Sequence, residues 1–252
     1  GAHAQIWVAP FTGDTLDVVS HVRDLGFDAI DVNVGQLPPP FPAADLRRRL
    51  EATGLHAALG AFLNAQRDIT STDAEVRRTG IEFLKGVARL CGEVGARTFI
   101  GPMHSELRRQ RLDPPAVREE RWKRCAEGLA AVAQEAERVG ITVGVEILNR
   151  YESDFLTTTA DGVRLCQAVG HPRLGLLLDV YHLNIEERRI GEAIRAAAGH
   201  ITHFHVCEND RGAPGSGHMP WAEIRDALRD AGYNGVCTIE SYNPDLPGLV
   251  ER

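Results

Sequence analysis

Cysteine pairs, long apolar runs and an excess of positive charge are all missing from this sequence, and each absence argues against a class of protein. The five cysteines are dispersed without any CxxC spacing: Cys91, Cys125, Cys166, Cys207 and Cys237. An odd, scattered set is typical of reduced thiols used as small core residues. We therefore expect neither a disulfide framework nor a thiolate zinc site.

No apolar stretch reaches the roughly 18 residues that a membrane span requires. Residues 1–5 also lack the basic and then apolar order of a signal peptide. With 28 basic against 35 acidic side chains and a net charge of -7, the surface does not favour nucleic acid or anionic lipid. We expect a soluble, cytoplasmic protein with a small-molecule ligand, no membrane contact and no nucleic-acid partner.

The sequence does contain a recurring order of helix, glycine and strand. Helical patterns, with apolar residues at spacings of three and four, cover residues 16–25, 43–53, 73–94, 118–139, 160–169, 191–198 and 221–231. Each ends near a glycine suited to the left-handed backbone beyond a helix C-terminus: Gly26, Gly54, Gly95, Gly140, Gly170, Gly199 and Gly232. Apolar runs predict eight strands, at residues 5–9, 29–34, 56–61, 98–101, 142–147, 174–178, 202–206 and 236–239.

Alternating strands and helices imply a parallel sheet, and eight strands in 252 residues match an α/β fold of the (β/α)8 TIM barrel type. The competing architecture, an open doubly wound sheet, normally has a glycine-rich phosphate turn after its first strand, and residues 9–13 do not form one. We predict a single barrel domain over residues 1–252. Because the chain stops twelve residues after Glu240, we expect the last helix to be absent or truncated, or a partner chain to cover that side.

Four residues of types that bind divalent cations stand at the ends of the last four predicted strands: Glu146, Asp179, His205 and Glu240. Side chains at the C-terminal strand ends of a TIM barrel converge on one mouth. Three carboxylates and one imidazole form a hard, oxygen-rich set suited to Mn²⁺, with Mg²⁺ or Co²⁺ as alternatives. The alternative for any one of these residues is a helix cap or an ion pair.

A resemblance to a known family lies in the stretches that contain these residues. They are GVEILNRYE at residues 144–152, LDVYHLNIEE at 178–187 and HFHVCENDR at 203–211, followed by PGSGHMPW at 214–221 and GYNGVCTIE at 232–240. Together they resemble the ketose 3-epimerases, the D-tagatose and D-allulose (psicose) 3-epimerases among the xylose isomerase-like barrels. The resemblance covers residues 140–242 and is weak before them.

The resemblance implies a Mn²⁺-type ion on the four candidate ligands and substrate-binding roles for Glu152, His182 and Arg211. It also implies a homo-oligomer. Inverting a carbon beside a ketone requires a base on each face of the sugar. Glu146 and Glu240 are the predicted catalytic pair, and a metal would stabilise the enediolate between the two proton transfers.

The loop after the fourth strand departs from the pattern expected for a neutral sugar. It contains Arg108, Arg109 and Arg111, which either face solvent or favour a phosphate, a carboxylate or a larger glycoside. His104 in the same loop is predicted to point to the mouth and bind substrate. The alternatives to a ketose 3-epimerase are therefore a C-glycoside deglycosidase, which would cleave a 3-keto glycoside on the same metal site, and a non-catalytic sugar-binding barrel.

Overall fold

Eight parallel strands close into a barrel in the computed structural model, which describes residues 1–35, 41–108 and 113–242. The strands are β1 (Ala2–His3), β2 (Ala29–Asn33), β3 (His56–Gly60), β4 (Thr98–Gly101), β5 (Thr142–Glu146), β6 (Leu174–Asp179), β7 (Ile201–Val206) and β8 (Cys237–Ile239). Each strand pairs with the next, and β1 closes the ring by pairing with β8 at Ala2 and Ile239. The predicted (β/α)8 TIM barrel is confirmed.

The helices form the outer layer. They are α1 (Asp17–Asp24), α2 (Ala43–Thr53), α3 (Ala74–Val94), α4 (Pro115–Val139), α5 (Thr159–Val169), α6 (Val180–Glu186), α7 (Ile190–Ala196) and α8 (Trp221–Asp230). All seven glycines predicted to follow helices have φ between 62° and 89°, the left-handed backbone that glycine adopts without a steric penalty. The main apolar core lies between these helices and the strands.

The register of the strands brings the C-terminal ends together. Across β6 and β7, Asp179 pairs with His205, and across β5 and β6, Glu146 pairs with Leu177. A separate small cluster of Ala58, Ile100 and Leu177 packs within the barrel, and the last two line the cavity at its mouth. The polar ends of β5 to β8 therefore meet above an apolar floor.

The first strand differs from its prediction. A strand was expected at residues 5–9, whereas β1 ends at His3 and Gln5 lies in a 3-10 turn over Ala4–Ile6. The His3 side chain accepts a hydrogen bond from the Gln5 backbone N–H and caps this turn. The prediction was wrong because this local cap ends the strand before the apolar run begins.

The segment after β6 also differs from its prediction, since no helix was expected between that strand and residue 191. The Asp179 side chain accepts from the Tyr181 N–H and caps α6, so two helices follow this strand. The predicted absence of a final helix concerns residues 243–252, which lie outside the described residues. Over the three described ranges, no helix combines the length with the hydropathy that a bilayer span needs.

Candidate active site and metal centre

The four predicted ligands converge at the C-terminal end of the barrel. One atom from each of Glu146, Asp179, His205 and Glu240 lies within 4.8 Å of the others, and all four residues are buried. Buried carboxylates at this spacing are costly unless a cation or a hydrogen-bond donor compensates them. The cluster can bind a divalent ion.

Asp31 on β2 sets the orientation of His205. Its Oδ2 accepts hydrogen bonds from His205 Nε2 at 3.0 Å and from His203 Nε2 at 2.7 Å. The other ring nitrogen of His205, Nδ1, is buried without a hydrogen bond and lies 3.3 Å from Glu240 Oε2. A histidine that donates one N–H to a carboxylate and turns its second nitrogen toward other carboxylates has the arrangement of a metal ligand.

Electrostatics at the cluster favour a positive charge. Burial raises the pKa of Glu146, and the neighbouring Glu240 adds to this rise, although a hydrogen bond with His182 opposes it. Burial acts on Glu240 in the same sense, but His205 and Arg211 outweigh it and hold its pKa well below the usual range. Burial lowers the pKa of His205, yet Glu240 and Asp31 raise it well above the usual value. The clustered carboxylates thus favour any cation placed among them.

Arg211 and His182 lie against these carboxylates. Arg211 Nη1 donates to Asp179 Oδ2 and, at 2.9 Å, to Glu240 Oε2. His182 Nε2 lies 3.5 Å from Glu146 Oε1 and 3.2 Å from Arg211 Nη2. Both residues line the cavity at the barrel mouth, as does Glu152. The structure therefore brings the three residues of the resemblance together with the two predicted catalytic glutamates.

Asn149, which the sequence analysis did not single out, fixes two of these side chains. Its Nδ2 lies 3.1 Å from Glu152 Oε1 and 2.9 Å from His182 Nδ1, and its backbone N–H donates to the same ring nitrogen at 3.0 Å. His182 Nδ1 is thereby an acceptor, which leaves its Nε2 as the donor that faces Glu146. Asn149 follows β5 by three residues, within the stretch that carries the resemblance.

The loop between β7 and α8 holds Arg211 in an unusual backbone conformation, with φ of 65°. Such a conformation costs about 1 kcal/mol or more for a residue other than glycine. Two tyrosines flank the guanidinium, with the ring centres of Tyr181 and Tyr242 at 4.1 and 4.8 Å from Cζ. Packing between two rings restricts where the arginine can point.

His104 is not brought together with the other predicted residues. It is fully buried and absent from the described lining of the cavity, and its ring lies 6.0 Å from that of Phe155. Burial and the nearby Arg121 lower the pKa of His104 to about 3, so it stays neutral. In the same loop Arg108 is exposed, and Arg109 and Arg111 lie outside the described residues.

Three polar residues near the site were missed because they lie on β2 or just after β1, where the resemblance is weak: Gln5, Asp31 and Asn33. The signal for the last two was present in the run Ile30 to Val34, where polar side chains alternate with apolar ones inside a buried strand. Gln5 carried no such signal, since it was placed in a strand that does not form.

Comparison with known proteins identifies the family of this chain. The family model of xylose isomerase-like TIM barrels matches residues 19–251. The chain belongs to this family. An L-ribulose 3-epimerase of Mesorhizobium japonicum is 34% identical over 98% of this chain and 82% of its own length. A D-psicose 3-epimerase of Agrobacterium fabrum is 32% identical over 96% of this chain and 84% of its own length.

A solved structure of L-ribulose 3-epimerase superposes with a TM-score of 0.91 at 34% identity, covering 98% of this chain and 82% of that one. Like these relatives, the present chain is an epimerase, an enzyme of the isomerase class. Its buried ligand cluster and the polar cavity beside it are the places where that chemistry can occur.

Proposed function

We propose that the protein is a divalent-metal-dependent ketose 3-epimerase that inverts C3 of an unmodified ketose through an enediolate. The observation that supports this most directly is the pair Glu146 and Glu240, two buried carboxylates that line one cavity and belong to one ligand cluster. Relatives named L-ribulose 3-epimerase and D-psicose 3-epimerase act on a ketopentose and a ketohexose, so the substrate class is a free ketose.

The proposed residues fit a bound Mn²⁺, with Mg²⁺ or Co²⁺ as alternatives, because three carboxylates and one imidazole nitrogen suit a hard cation. When bound, such an ion would stabilise negative charge that develops on the ketone oxygen. Glu146, Asp179, His205 and Glu240 would hold it. The observation in favour of this assignment is that His205 Nδ1 is buried, has no hydrogen bond among the described residues and faces Glu240 Oε2 at 3.3 Å.

Proton transfer at C3 falls to the two glutamates. One removes the C3 proton from one face, and the other returns a proton to the opposite face, which inverts the carbon. His182 and Arg211 would donate hydrogen bonds to the substrate oxygens at C1 and C2 and share the enediolate charge. Glu152, oriented by Asn149, would accept from a substrate hydroxyl.

Among the described lining residues, Arg211 is the single arginine or lysine, and three glutamates line the same cavity. A phosphate would have to enter among these carboxylates, which disfavours a phosphorylated substrate. The exposed position of Arg108 agrees with a solvent-facing role for that side chain. We therefore place a neutral sugar in the cavity.

The test is incubation of the Mn²⁺-loaded protein with D-fructose, D-tagatose, D-allulose and L-ribulose in D₂O, with deuterium at C3 followed by NMR. We expect incorporation together with the C3 epimer for at least one sugar. Glu146→Gln and Glu240→Gln should each lower the epimerisation rate by about 10²–10⁴-fold, because an amide cannot act as a base. The exposed Glu192 provides a matched control, and Glu192→Gln should keep the wild-type rate.

Near-normal exchange in both glutamine variants would contradict the two-base mechanism. Lack of exchange with every ketose, together with cleavage of a 3-keto C-glycoside, would favour the deglycosidase instead. Sugar binding without exchange or cleavage would favour a non-catalytic barrel.

A further inference from the structure

A chain of polar side chains from the first two strands and the turn after β1 reaches Glu240 at Oε1, whereas Arg211 contacts Oε2. Gln5 Nε2 donates to Glu240 Oε1 at 3.3 Å, and Asn33 Nδ2 donates to Gln5 Oε1 at 3.3 Å. The backbone N–H of Gln5 donates to His3 Nδ1 at 3.1 Å. The side chains of His3, Gln5 and Asn33 all line the cavity at the barrel mouth. None of these three residues belongs to the proposed ligand set or to the stretches that resemble ketose 3-epimerases.

The two oxygens of Glu240 have different surroundings. Oε2 faces the ligand cluster, with Arg211 Nη1 at 2.9 Å and His205 Nδ1 at 3.3 Å. Oε1 has Gln5 as its hydrogen-bond donor. A carboxylate that is both a metal ligand and a base needs one oxygen for each task, and its plane must be fixed for the free oxygen to meet the substrate C–H.

We propose that Gln5 is a positioning residue for Glu240, which orients Oε1 for proton transfer on one face of the substrate. The inference rests on the proposed epimerase function. In this role, Gln5 holds Oε1 of Glu240 for proton transfer while Oε2 faces the ligand cluster.

The orientation of both amides follows from the carboxylate. Because an ionised carboxylate only accepts hydrogen bonds, Gln5 must present its N–H₂ group to Glu240 and its oxygen to Asn33. Asn33 in turn fits only because residue 60 is glycine, since a Cβ there would lie 2.3 Å from Asn33 Oδ1. Gly60→Ala should therefore displace the Asn33 side chain and indirectly weaken its hydrogen bond to Gln5.

Loss of the Gln5 donor should leave the ligand cluster in place and slow only the step that uses Glu240. Suppose that the C3 proton of one sugar leaves to Glu146. Protonation of the enediolate by Glu240 would then be slow. Glu146 would more often return a proton to the original face, which regenerates the starting sugar. The epimer of that sugar loses its proton to Glu240, so C–H cleavage itself would become slow in that direction.

The experiment compares wild type with Gln5→Leu, which keeps the approximate size of the side chain and removes both hydrogen bonds. Gln66→Leu on the exposed surface is the matched control. Mn²⁺ affinity is measured by EPR, kcat and KM are measured in both directions, and deuterium from D₂O is counted in recovered substrate and product. Kinetic isotope effects are measured with each sugar deuterated at C3.

We expect Gln5→Leu to lose less Mn²⁺ affinity than the about 10–100-fold typical of a residue that supports a metal ligand, because Gln5 contacts Oε1 of Glu240 and Oε2 is the oxygen that faces the ligand cluster. Its kcat should fall about 10–100-fold with a smaller change in KM. The deuterium content of recovered substrate should rise for the sugar that loses its C3 proton to Glu146. The kinetic isotope effect should rise for its epimer, which loses its C3 proton to Glu240. Gly60→Ala should show the same two changes more weakly, and Gln66→Leu should show neither.

An unchanged deuterium partition in Gln5→Leu would overturn the positioning role, as would kinetic isotope effects that change equally for the two epimeric sugars. A loss of Mn²⁺ affinity beyond tenfold would also overturn it, because it would make Gln5 a support of the ligand cluster. If wild type itself exchanges no C3 hydrogen with any ketose, the proposed function fails and this inference fails with it. Exchange in wild type with an unaltered variant overturns the Gln5 inference alone.

Discussion

Asp31 is a residue whose side chain stays outside the described lining of the mouth cavity and still bears on its chemistry. It is fully buried on β2, and its Oδ2 holds the Nε2 atoms of both His203 and His205. This contact fixes the tautomer and the ring plane of His205, whose Nδ1 then faces the other ligands. His203, which the period-two alternation of a strand puts on the same side as His205, contributes to the same contact.

We predict that Asp31→Asn lowers Mn²⁺ affinity about 10–100-fold, because the amide can no longer accept from both histidines as an anion. The measurement is titration calorimetry with Mn²⁺. Asp28→Asn, at an exposed position just before the same strand, should leave the affinity unchanged. Equal affinities in the two variants would mean that the orientation of His205 is set by other contacts.

At the scale of elements, the loop between β7 and α8 depends on one buried carboxylate. Glu208 is fully buried and accepts from Gly215 N at 2.8 Å, Met219 N at 3.1 Å and Trp221 Nε1 at 2.7 Å. The Arg211 N–H donates to the Glu208 carbonyl at 3.0 Å. This network holds the loop in the form that keeps Arg211 at its positive φ.

Acid should destabilise this loop. Burial alone would raise the pKa of Glu208, but hydrogen bonds from Trp221 and from the backbone of Gly215 and Met219 lower it to about 2. Because the folded pKa lies below the unfolded value of about 4.3, the stabilisation is complete above that unfolded value. It is lost as pH falls toward the folded pKa.

We predict that Glu208→Gln lowers the free energy of unfolding at pH 7 by about 2 kcal/mol, since one acceptor of a charged network is lost. The melting temperature should fall by about 4–8 °C. The difference from wild type should narrow between pH 5 and pH 3, an interval that follows from the linkage of the two pKa values. Thermal unfolding followed by circular dichroism measures it, with Glu192→Gln as the exposed control; a difference independent of pH would contradict the role of the ionised carboxylate.

The boundaries of helices α3 and α6 show which structural signals can be found in the sequence. Helix α3 was predicted at residues 73–94 and found at Ala74–Val94, because Asp73 caps its start and Gly95 ends it. Both signals are local in the chain. Helix α6 was missed because the ligand role and the capping role of Asp179 were treated as alternatives, whereas its Oδ1 caps the helix and its Oδ2 faces Arg211.

At the scale of the whole molecule, the ligand cluster links the last four strands. Glu146, Asp179 and His205 end or lie within β5, β6 and β7, and Glu240 follows β8 directly. An ion bound by all four would join half of the barrel at one point. Binding of such an ion would therefore be coupled to folding stability.

We predict that Mn²⁺ at about 100 times its Kd raises the free energy of unfolding by about 2.7 kcal/mol and the melting temperature by about 5–10 °C. Removal of the ion with EDTA should reverse the shift. Asp179→Asn, which replaces a ligand oxygen, should show a much smaller shift than Asp28→Asn under the same conditions. An equal shift in both variants would place the ion elsewhere.

The homo-oligomer implied by the resemblance, or an association with a different partner chain, stays a prediction that light scattering can test.

The sequence alone determined the alternation of strands and helices, the closed barrel and the four ligand types at the strand ends. These follow from periodicity, from glycines after helices and from carboxylates where apolar runs stop, all of which are local along the chain. Tertiary structure decided the rest: that Asp31 lies behind His205, that Gln5 reaches Glu240, and that His104 is buried away from the lining of the cavity. These contacts join residues far apart in sequence, such as Gln5 and Glu240, and only closure of the barrel through β1 and β8 brings them within hydrogen-bonding distance.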